Sequence, residues 1–593
     1  MLTRNEFMVL NALRQLGRSS QRRLAEATGL SLGTVNSTIR TCEAQGYCLD
    51  RELTESGLDA LRPYKVDNAI IMAAGFSSRF APLSYERPKG VMRVRGDVLI
   101  ERQIRQLIEV GITDIVVVVG YMKEAFFYLE AKFGVRIVIN DEYAVRNNNS
   151  TLMRVRDELR NTFVCSSDNY FTENVFEPYV YESYYSTSFV EGKTDEYCVE
   201  KGPNGRITGV RVGGKNSLVM IGHVYFDAEF SERFRRILVN EYDLPETRGK
   251  LWEDIYRGHL DELDMKARVY ARDVVHEFDS MKDLLKFDHD FVDNVDSKIL
   301  DNICSVLRVD RNEIKKIKPI KEGLTNLSFR FAVGSKSNRR QFVYRHPGPG
   351  TDEIINRVSE TYSQAVSKKL GIDNTFVYEH PEEGWKLSRY IKGCIPFDYH
   401  NAAHVSGAME LIRRLHRSDE RSQWSFDVYE NAIEIVGLLA SRSYPSFPDA
   451  DELAQMAARL NEYVTADAVE PCLCHNDFYA PNFLIHADGM DLIDWEYSAM
   501  SDYASDLGTF ICCSDYSIDE ARDVIAQYFN GNPTAAELRH CLAYVSLAGY
   551  YWFVWALFKE ASGDPVGEWL YLWYKAAKTY GAEALRLYAD AEL

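Results

Sequence analysis

The 593-residue sequence has little that would take it out of the ordinary globular class. It contains no internal repeat and no low-complexity tract, which argues against a solenoid or a disordered chain. Its opening, Met1-Leu-Thr-Arg-Asn-Glu-Phe7, lacks the charged-then-apolar layout of a secretory leader. The most apolar late run, around Ala548–Phe558, falls short of the ~20 residues of a membrane span, so no membrane insertion is expected. None of the eleven cysteines forms a pair at zinc-knuckle spacing: Cys472 and Cys474 flank one residue, and Cys512 and Cys513 adjoin. Reduced thiols and a cytoplasmic location follow as expectations. Positive charge is outnumbered too: a net charge of -19 argues against broad, non-specific nucleic-acid binding, but not against nucleotide binding, which needs only a few local cations.

A chain this long exceeds one hydrophobic core, and its patterning changes twice. Residues 1–64 read as a small helical module. Phe7, Leu10, Leu13 and Leu16 share a helical face, and Ser20–Arg40 reads as helix, glycine-containing turn, helix. This layout resembles the helix-turn-helix of winged-helix regulators, with Leu32–Gln45 in the place of the recognition helix and Gly46 to Gly57 supplying a short wing. Eight arginines against seven acidic residues leave the module near neutral, where DNA readers are usually basic. Two readings stay open: DNA binding through residues 1–64, or a docking or regulatory module.

From Asn68 short apolar runs alternate with helical stretches. Ala69–Ala73, Ile115–Val119, Arg136–Ile139 and Thr162–Cys165 suit parallel strands covered on both faces, so a doubly wound α/β domain is expected over residues 66–290. The first strand runs into Ala73-Ala74-Gly75-Phe76-Ser77-Ser78-Arg79, where backbone N–H groups of a turn can hold phosphate, and Arg79 adds charge. Lys89 follows in Glu86-Arg-Pro-Lys-Gly90. The pattern A-A-G-x-x-[ST]-R…P-K resembles nucleotidyltransferases that activate sugars and alcohols, although Ser77 stands where that family often has glycine. Leu99-Ile-Glu-Arg-Gln-Ile104, Asn147-Asn-Asn-Ser-Thr-Leu152 and Cys165-Ser-Ser-Asp-Asn-Tyr-Phe171 look like bacterial CTP:phosphocholine cytidylyltransferases. The resemblance implies Asp168 as a metal ligand, with Asp254 as the second carboxylate and Asp227 as its alternative. It also makes Lys89 and Arg79 catalytic. A quaternary ammonium can neither donate nor accept a hydrogen bond, so its recognition needs aromatic faces and carboxylates; Tyr184, Tyr185 and Tyr197 are the candidates here.

Over residues 291–593 strands come first and helices dominate afterwards. Cys474-His-Asn-Asp-Phe-Tyr-Ala-Pro-Asn482 carries the His-x-Asp-x-x-x-x-Asn spacing of kinase-like phosphotransferases, and Leu492-Ile-Asp494 follows in register. Asp477 is then the acceptor of the substrate's hydroxyl proton, while Asn482 and Asp494 hold metal. Other stretches resemble choline kinases. Gly323, Thr325 and Asn326 lie in the phosphate-covering loop, Arg345 replaces the usual strand lysine with Glu360 as its partner, and Tyr390 sits in the adenine hinge. Trp552 and Trp555, three apart on one helical face, join Glu496 and Tyr497 as the choline cage. The combined expectation is a multidomain α/β chain with a winged helix, a nucleotidyltransferase domain and a choline-kinase-like α+β domain. Using Mg²⁺, ATP and CTP, it would convert choline to phosphocholine and then CDP-choline for surface-glycan decoration. Ethanolamine, sugar-phosphate and aminoglycoside substrates, and a ligand-sensing regulator without catalysis, remain as alternatives.

Overall fold

A computed structural model describes residues 1–593 except 279, 289–290, 292–294, 321–326, 335–337, 349–355, 442–446, 562–565 and 593. The chain divides into two compact units, Met1–Ser305 and Val306–Leu593.

Three helices open the first unit: Arg4–Leu16, Gln21–Thr28 and Leu32–Ala44. Thr3, Ser20 and Ser31 each accept a backbone N–H from the first turn that follows, so serine and threonine start every helix. Phe7, Leu10, Leu13, Leu24, Val35 and Ile39 form their core, and the strands Cys48–Leu49 and Glu52–Leu53 pair as the wing. Gly33, Ser37 and Arg40 stay exposed on the third helix. The module rests on the rest of its unit through aromatic contacts: Tyr181 stacks on Tyr64 at 5.5 Å and meets Phe7 at 5.4 Å, and the Arg14 guanidinium lies 4.3 Å over Tyr179. Tyr179 and Tyr181 therefore serve packing.

The α/β part is built on a seven-stranded mixed sheet. Asn68–Ala73 is parallel to both Ile115–Val119 and Thr162–Ser166, and Arg136–Ile139 extends the parallel half. Ile115–Val119 is buried at every position, as a continuous β-branched run covered on both faces should be. Beyond Thr162–Ser166 the sheet turns antiparallel through a long ribbon, Tyr184–Lys201 with Ile207–Phe226. The helix Leu99–Glu109 matches expectation, whereas Lys123–Phe133 breaks into a 3-10 turn and the short helix Tyr128–Phe133. The unit also extends past the expected limit at 290. Glu86 accepts Ser297 Oγ at 2.5 Å and Ile299 N at 3.0 Å, which ties the start of the helix Lys298–Leu307 to the loop carrying Lys89.

In the second unit an antiparallel sheet runs in the order Lys315–Ile320, Leu327–Val333, Arg340–His346, Lys386–Arg389, Phe376–Glu379. The helix Arg357–Lys369 packs beside it, capped by the Asn356 side chain. A larger helical body follows, with two small hairpins carrying the catalytic segments. Its longest helix, Ala535–Ala561, exceeds the apolar run read from the sequence: by length and hydropathy it could cross a membrane. However, 78% of its most apolar window is buried inside this unit, the pattern of a core helix. Gly549 allows that packing, since a Cβ there would stand 2.9 Å from Ala577 N and 3.0 Å from Trp573 O on the helix Glu568–Glu592.

Candidate active sites

The second unit brings most of its sequence-identified residues to one cavity of about 1150 Å³. Its walls include Arg345, Tyr390, Asp477, Asn482, Asp494, Glu496, Tyr497, Trp552 and Trp555. Gly323, Thr325 and Asn326 lie outside the described residues. The catalytic residues lie on a tight loop that follows the strand Cys472–Cys474. Asn476 takes a left-handed backbone at φ 62°, and Asp494 does so at φ 68°; such conformations in non-glycine residues cluster at functional sites. Asp506, on the helix Tyr503–Cys512, holds the loop by accepting His475 N at 2.9 Å and Asn476 N at 2.6 Å. The sequence reading missed Asp506. Its only local sign is an acidic residue four positions after a helix-capping aspartate, Asp502.

Asn482 donates to the Asp477 carbonyl and to Asp477 Oδ2, both at 2.8 Å, which uses its amide hydrogens and leaves its oxygen to face a cation. Burial, and next the Asp494 charge, push the Asp477 carboxyl well above its ordinary value. Burial and Asp494 likewise raise Glu496 to about 8. Arg345 answers part of this acidity. Its Nη1 contacts Asp494 Oδ1 at 3.0 Å, while Nη2 bonds Glu360 and reaches Glu379 Oε1 at 3.3 Å. Burial alone would raise Glu360, but Arg345 overrides it and holds that carboxyl down at about 2. Glu360 stands behind Arg345 instead of on the cavity wall, and Lys386 reaches it at 3.4 Å. Carboxylate and amide oxygens in an acidic excess are the hard donor set that suits Mg²⁺.

At the nucleotide end, Tyr390 N bonds Gln341 O at 2.9 Å and the Arg330 guanidinium covers the Tyr390 ring at 4.4 Å. The opposite end is aromatic. Trp552 meets Trp555 at 5.6 Å and Tyr497 at 5.9 Å, both edge to face. Trp573 adds a ring 5.8 Å from Trp552, and Trp569 stacks on Trp573 at 5.6 Å. These two were not singled out from sequence, although their i, i+4 spacing in Glu568-Trp-Leu-Tyr-Leu-Trp573 gives them one helical face.

In the first unit, Lys89 Nζ lies 2.5 Å from Asp168 Oδ2, and Ser166 Oγ donates to Asp168 Oδ1 at 2.5 Å. Burial would raise the Asp168 carboxyl, but the Lys89 ammonium reverses this and holds it below its ordinary value. Gly90 permits the approach, because a Cβ there would stand 2.9 Å from Ser167. Ala73 ends the buried first strand, buried Ala74 follows it, and Gly75, Ser77, Ser78 and Arg79 continue as an exposed to half-buried loop that enters the 3-10 turn Ser78–Phe80. Ser77 has φ -80°, a conformation open to any residue, so serine in place of glycine leaves the loop unstrained.

Two expectations are corrected here. Asp254 is engaged elsewhere: it accepts Tyr197 Oη at 2.9 Å and Leu251 N at 3.0 Å, and pairs with Arg257 at 3.2 Å. Another carboxylate, Glu277, pairs in register with Asn169, the residue after Asp168, and accepts Gly222 N at 3.2 Å. The alternative, Asp227, caps the helix Ala228–Glu241 and accepts both Ser183 N and Ser183 Oγ. Tyr184 and Tyr185 cannot share a cage, because neighbours on a strand face opposite sides. Tyr184 bonds His223 at 3.1 Å within one core, while Tyr185 stacks on Trp252 at 5.7 Å in the other. Tyr185 also donates to Glu253 Oε1 at 3.2 Å, and burial, followed by the charges of Glu253 and Glu277, raises its phenol. Tyr185, Trp252, Tyr197, Glu253 and Asp254 therefore form an aromatic and acidic cluster near Glu277, with a make-up suited to an organic cation.

Comparison with known proteins agrees with this division. Residues 317–552 match the family model for choline/ethanolamine kinase, residues 69–179 the MobA-like NTP transferase domain, and residues 2–47 winged helix-turn-helix DNA-binding. The choline-phosphate cytidylyltransferase of Streptococcus pneumoniae is 34% identical over 37% of this chain and 96% of its own. The 2-aminoethylphosphonate cytidylyltransferase of Lancefieldella rimae is 35% identical over 38% and 93%. A solved choline kinase from Streptococcus pneumoniae is 22% identical, covering 48% of this chain and 98% of its own, with a TM-score of 0.41. The chain therefore belongs to the cytidylyltransferase family of these relatives, and carries in the same polypeptide a choline/ethanolamine kinase domain and a winged helix-turn-helix.

Proposed function

We propose that the chain makes CDP-choline in two steps, phosphorylating choline with ATP in the second unit and joining phosphocholine to CMP from CTP in the first. The observation that carries this reading is the tryptophan-walled end of the kinase cavity, continuous with Asp477 and Asp494. The indoles of Trp552, Trp555 and Trp573 with Tyr497 hold a cation by its charge and its methyl groups without asking for a hydrogen bond. The hydroxyl then lies toward Asp477. This carboxylate accepts the hydroxyl proton as the oxygen attacks the γ-phosphorus and ADP leaves, while Arg345 holds phosphate charge. Asp494 and Asn482 would hold Mg²⁺, which supplies neutralisation of the phosphates.

In the first unit the phosphate oxygen of phosphocholine attacks the α-phosphorus of CTP, and pyrophosphate leaves. The 73–79 loop offers N–H groups to the triphosphate, with Arg79 and Lys89 countering the charge that develops on the leaving group. Asp168 and Glu277 are the carboxylates that would hold its metal, and Tyr185, Tyr197, Glu253 and Asp254 receive the trimethylammonium. Substrates of this kind belong to the cytoplasm, and the product is an activated donor of phosphocholine for surface glycans.

The second relative raises another reading, in which 2-aminoethylphosphonate is the cytidylyl acceptor. A phosphonate carries a carbon–phosphorus bond that no kinase makes, so a kinase in the same chain favours a phosphate ester. ³¹P NMR of the protein with Mg²⁺, ATP, CTP and choline tests the proposal: phosphocholine should grow first, then CDP-choline and pyrophosphate. Phosphocholine without CDP-choline would remove the second step, and turnover of supplied 2-aminoethylphosphonate in preference to phosphocholine would install the alternative.

A further inference from the structure

Cys472 and Cys474 lack knuckle spacing, but folding supplies what spacing does not. Alternate residues of a strand face the same side, and the two sulfurs stand 3.6 Å apart. Two thiolates on one tetrahedral zinc ion would stand about 3.8 Å apart, from a Zn–S bond of about 2.3 Å. His416, at the end of the helix Ala402–His416, brings a ring nitrogen to within 4.8 Å of both sulfurs. Its Nε2 meets Asp506 Oδ2 and its Nδ1 meets Tyr528 Oη, both at 2.9 Å, so taking up an ion exchanges the tyrosine contact for the metal while Asp506 keeps hold of the ring. The cluster is buried except at Cys472, which is 9% exposed and gives an ion its way in.

We propose that Cys472, Cys474 and His416 form a binding site for a soft tetrahedral cation of the Zn²⁺ class, and that filling it throttles the kinase. Binding releases the two thiol protons to solvent and forms two metal–sulfur bonds and one metal–nitrogen bond, with no redox change. The coupling runs through Asp506. One carboxylate holds the His416 ring and also the N–H groups of His475 and Asn476, so a ring drawn toward an ion pulls on the support of the loop that presents Asp477. The site lies outside the substrate cavity, whose walls include none of the three ligands.

The test uses the full chain with Cd²⁺ as probe, in excess Mg²⁺ so that the oxygen sites are covered. Ion stoichiometry comes from native mass spectrometry, and thiolate ligation from the ultraviolet Cd–S charge-transfer band. One tightly held Cd²⁺ with a thiolate band is expected, together with a fall in choline phosphorylation that follows occupancy and reverses with chelator. Cytidylyl transfer to supplied phosphocholine should be unchanged. Cys472→Ser, at the rim and remote from substrate, should keep the basal kinase rate and weaken both Cd²⁺ binding and inhibition at least tenfold. An undiminished Cd–S band in Cys472→Ser would overturn the site. Equal inhibition of both proteins would place the ion's effect at the catalytic oxygens, and binding without kinase loss would overturn the coupling. The binding arm stays informative even if the kinase substrate is not choline.

Discussion

The two catalytic units handle polyphosphate charge in opposite ways. In the first, an acid and a base meet directly: Lys89 neutralises Asp168, and the carboxyl is driven below its ordinary value. In the second, acids outnumber the cations among them, Arg345, Arg357 and Lys386, and Asp477 and Glu496 are driven up. The first site is therefore balanced through a single ion pair, whereas the second needs added positive charge before its carboxylates can all ionise. Single substitutions should separate the two activities cleanly, and their consequences should differ in kind.

The largest effect is expected at Asp477. Asp477→Ala should lower choline phosphorylation on the order of 10²–10⁴-fold by removing the proton acceptor, and leave cytidylyl transfer to supplied phosphocholine intact. ³¹P NMR with each substrate added separately reads both rates at once. Lys89→Ala should do the reverse, costing cytidylyl transfer about 10²–10³-fold, the usual scale for one electrostatic donor lost from a transition state. It also leaves Asp168 buried without its cation, so the Asp168 carboxyl should rise and the first unit should melt earlier near neutral pH. Loss of both activities in either well-folded variant would break the comparison.

Legibility from sequence divided along the same line. Asp477, Asn482 and Asp494 could be read because a short motif fixes their spacing, and one cavity now unites them with Arg345, Tyr390 and the Trp552–Trp555 pair. Asp506, Trp569 and Trp573 could not, because their roles depend on how separate helices pack against that motif. In the first unit the loop and Lys89 were likewise local features, but the second carboxylate depended on strand pairing. The register of Val275–Glu277 against Asn169–Phe171, which sets Glu277 opposite Asn169, shows only in the folded chain. The grouping of Tyr184 with Tyr185 could have been rejected from the sequence alone, since adjacent strand positions face apart. Cys472 and Cys474 show the converse: spacing argued against a metal, and His416 arrived only with the fold.

Between the two proposed cation-recognition clusters, the kinase cage should be the stronger because four tryptophans and a tyrosine line its end of the cavity. Trp552→Ala should raise the choline KM about 30-fold, the equivalent of ~2 kcal/mol for a desolvated cation–π contact, with ethanolamine affected less. Steady-state kinetics on both alcohols checks this. Equal losses on the two would make Trp552 a core residue and nothing more.

The smallest effect, and the sharpest test of the first unit, is a pH dependence at Glu253. Burial raises this carboxyl to about 7, against hydrogen bonds from Asn148 and Tyr185 that lower it. A quaternary ammonium binds the ionised form, so the phosphocholine KM should fall up to tenfold as pH rises from 6 to 8. The phosphate of phosphocholine also titrates, with a second pKa of about 6, so the profile alone is ambiguous. Glu253→Gln separates the two, because the variant keeps the phosphate's titration and loses only the carboxylate's. Its KM should stay high and follow a shallower curve. The folded protein gives an independent sign. A carboxyl raised by burial favours its neutral form, so without ligand thermal stability should decline as pH passes upward through about 7, and added phosphocholine should restore it most on the alkaline side. Parallel KM profiles for Glu253→Gln and the native chain would take the ammonium out of this cluster.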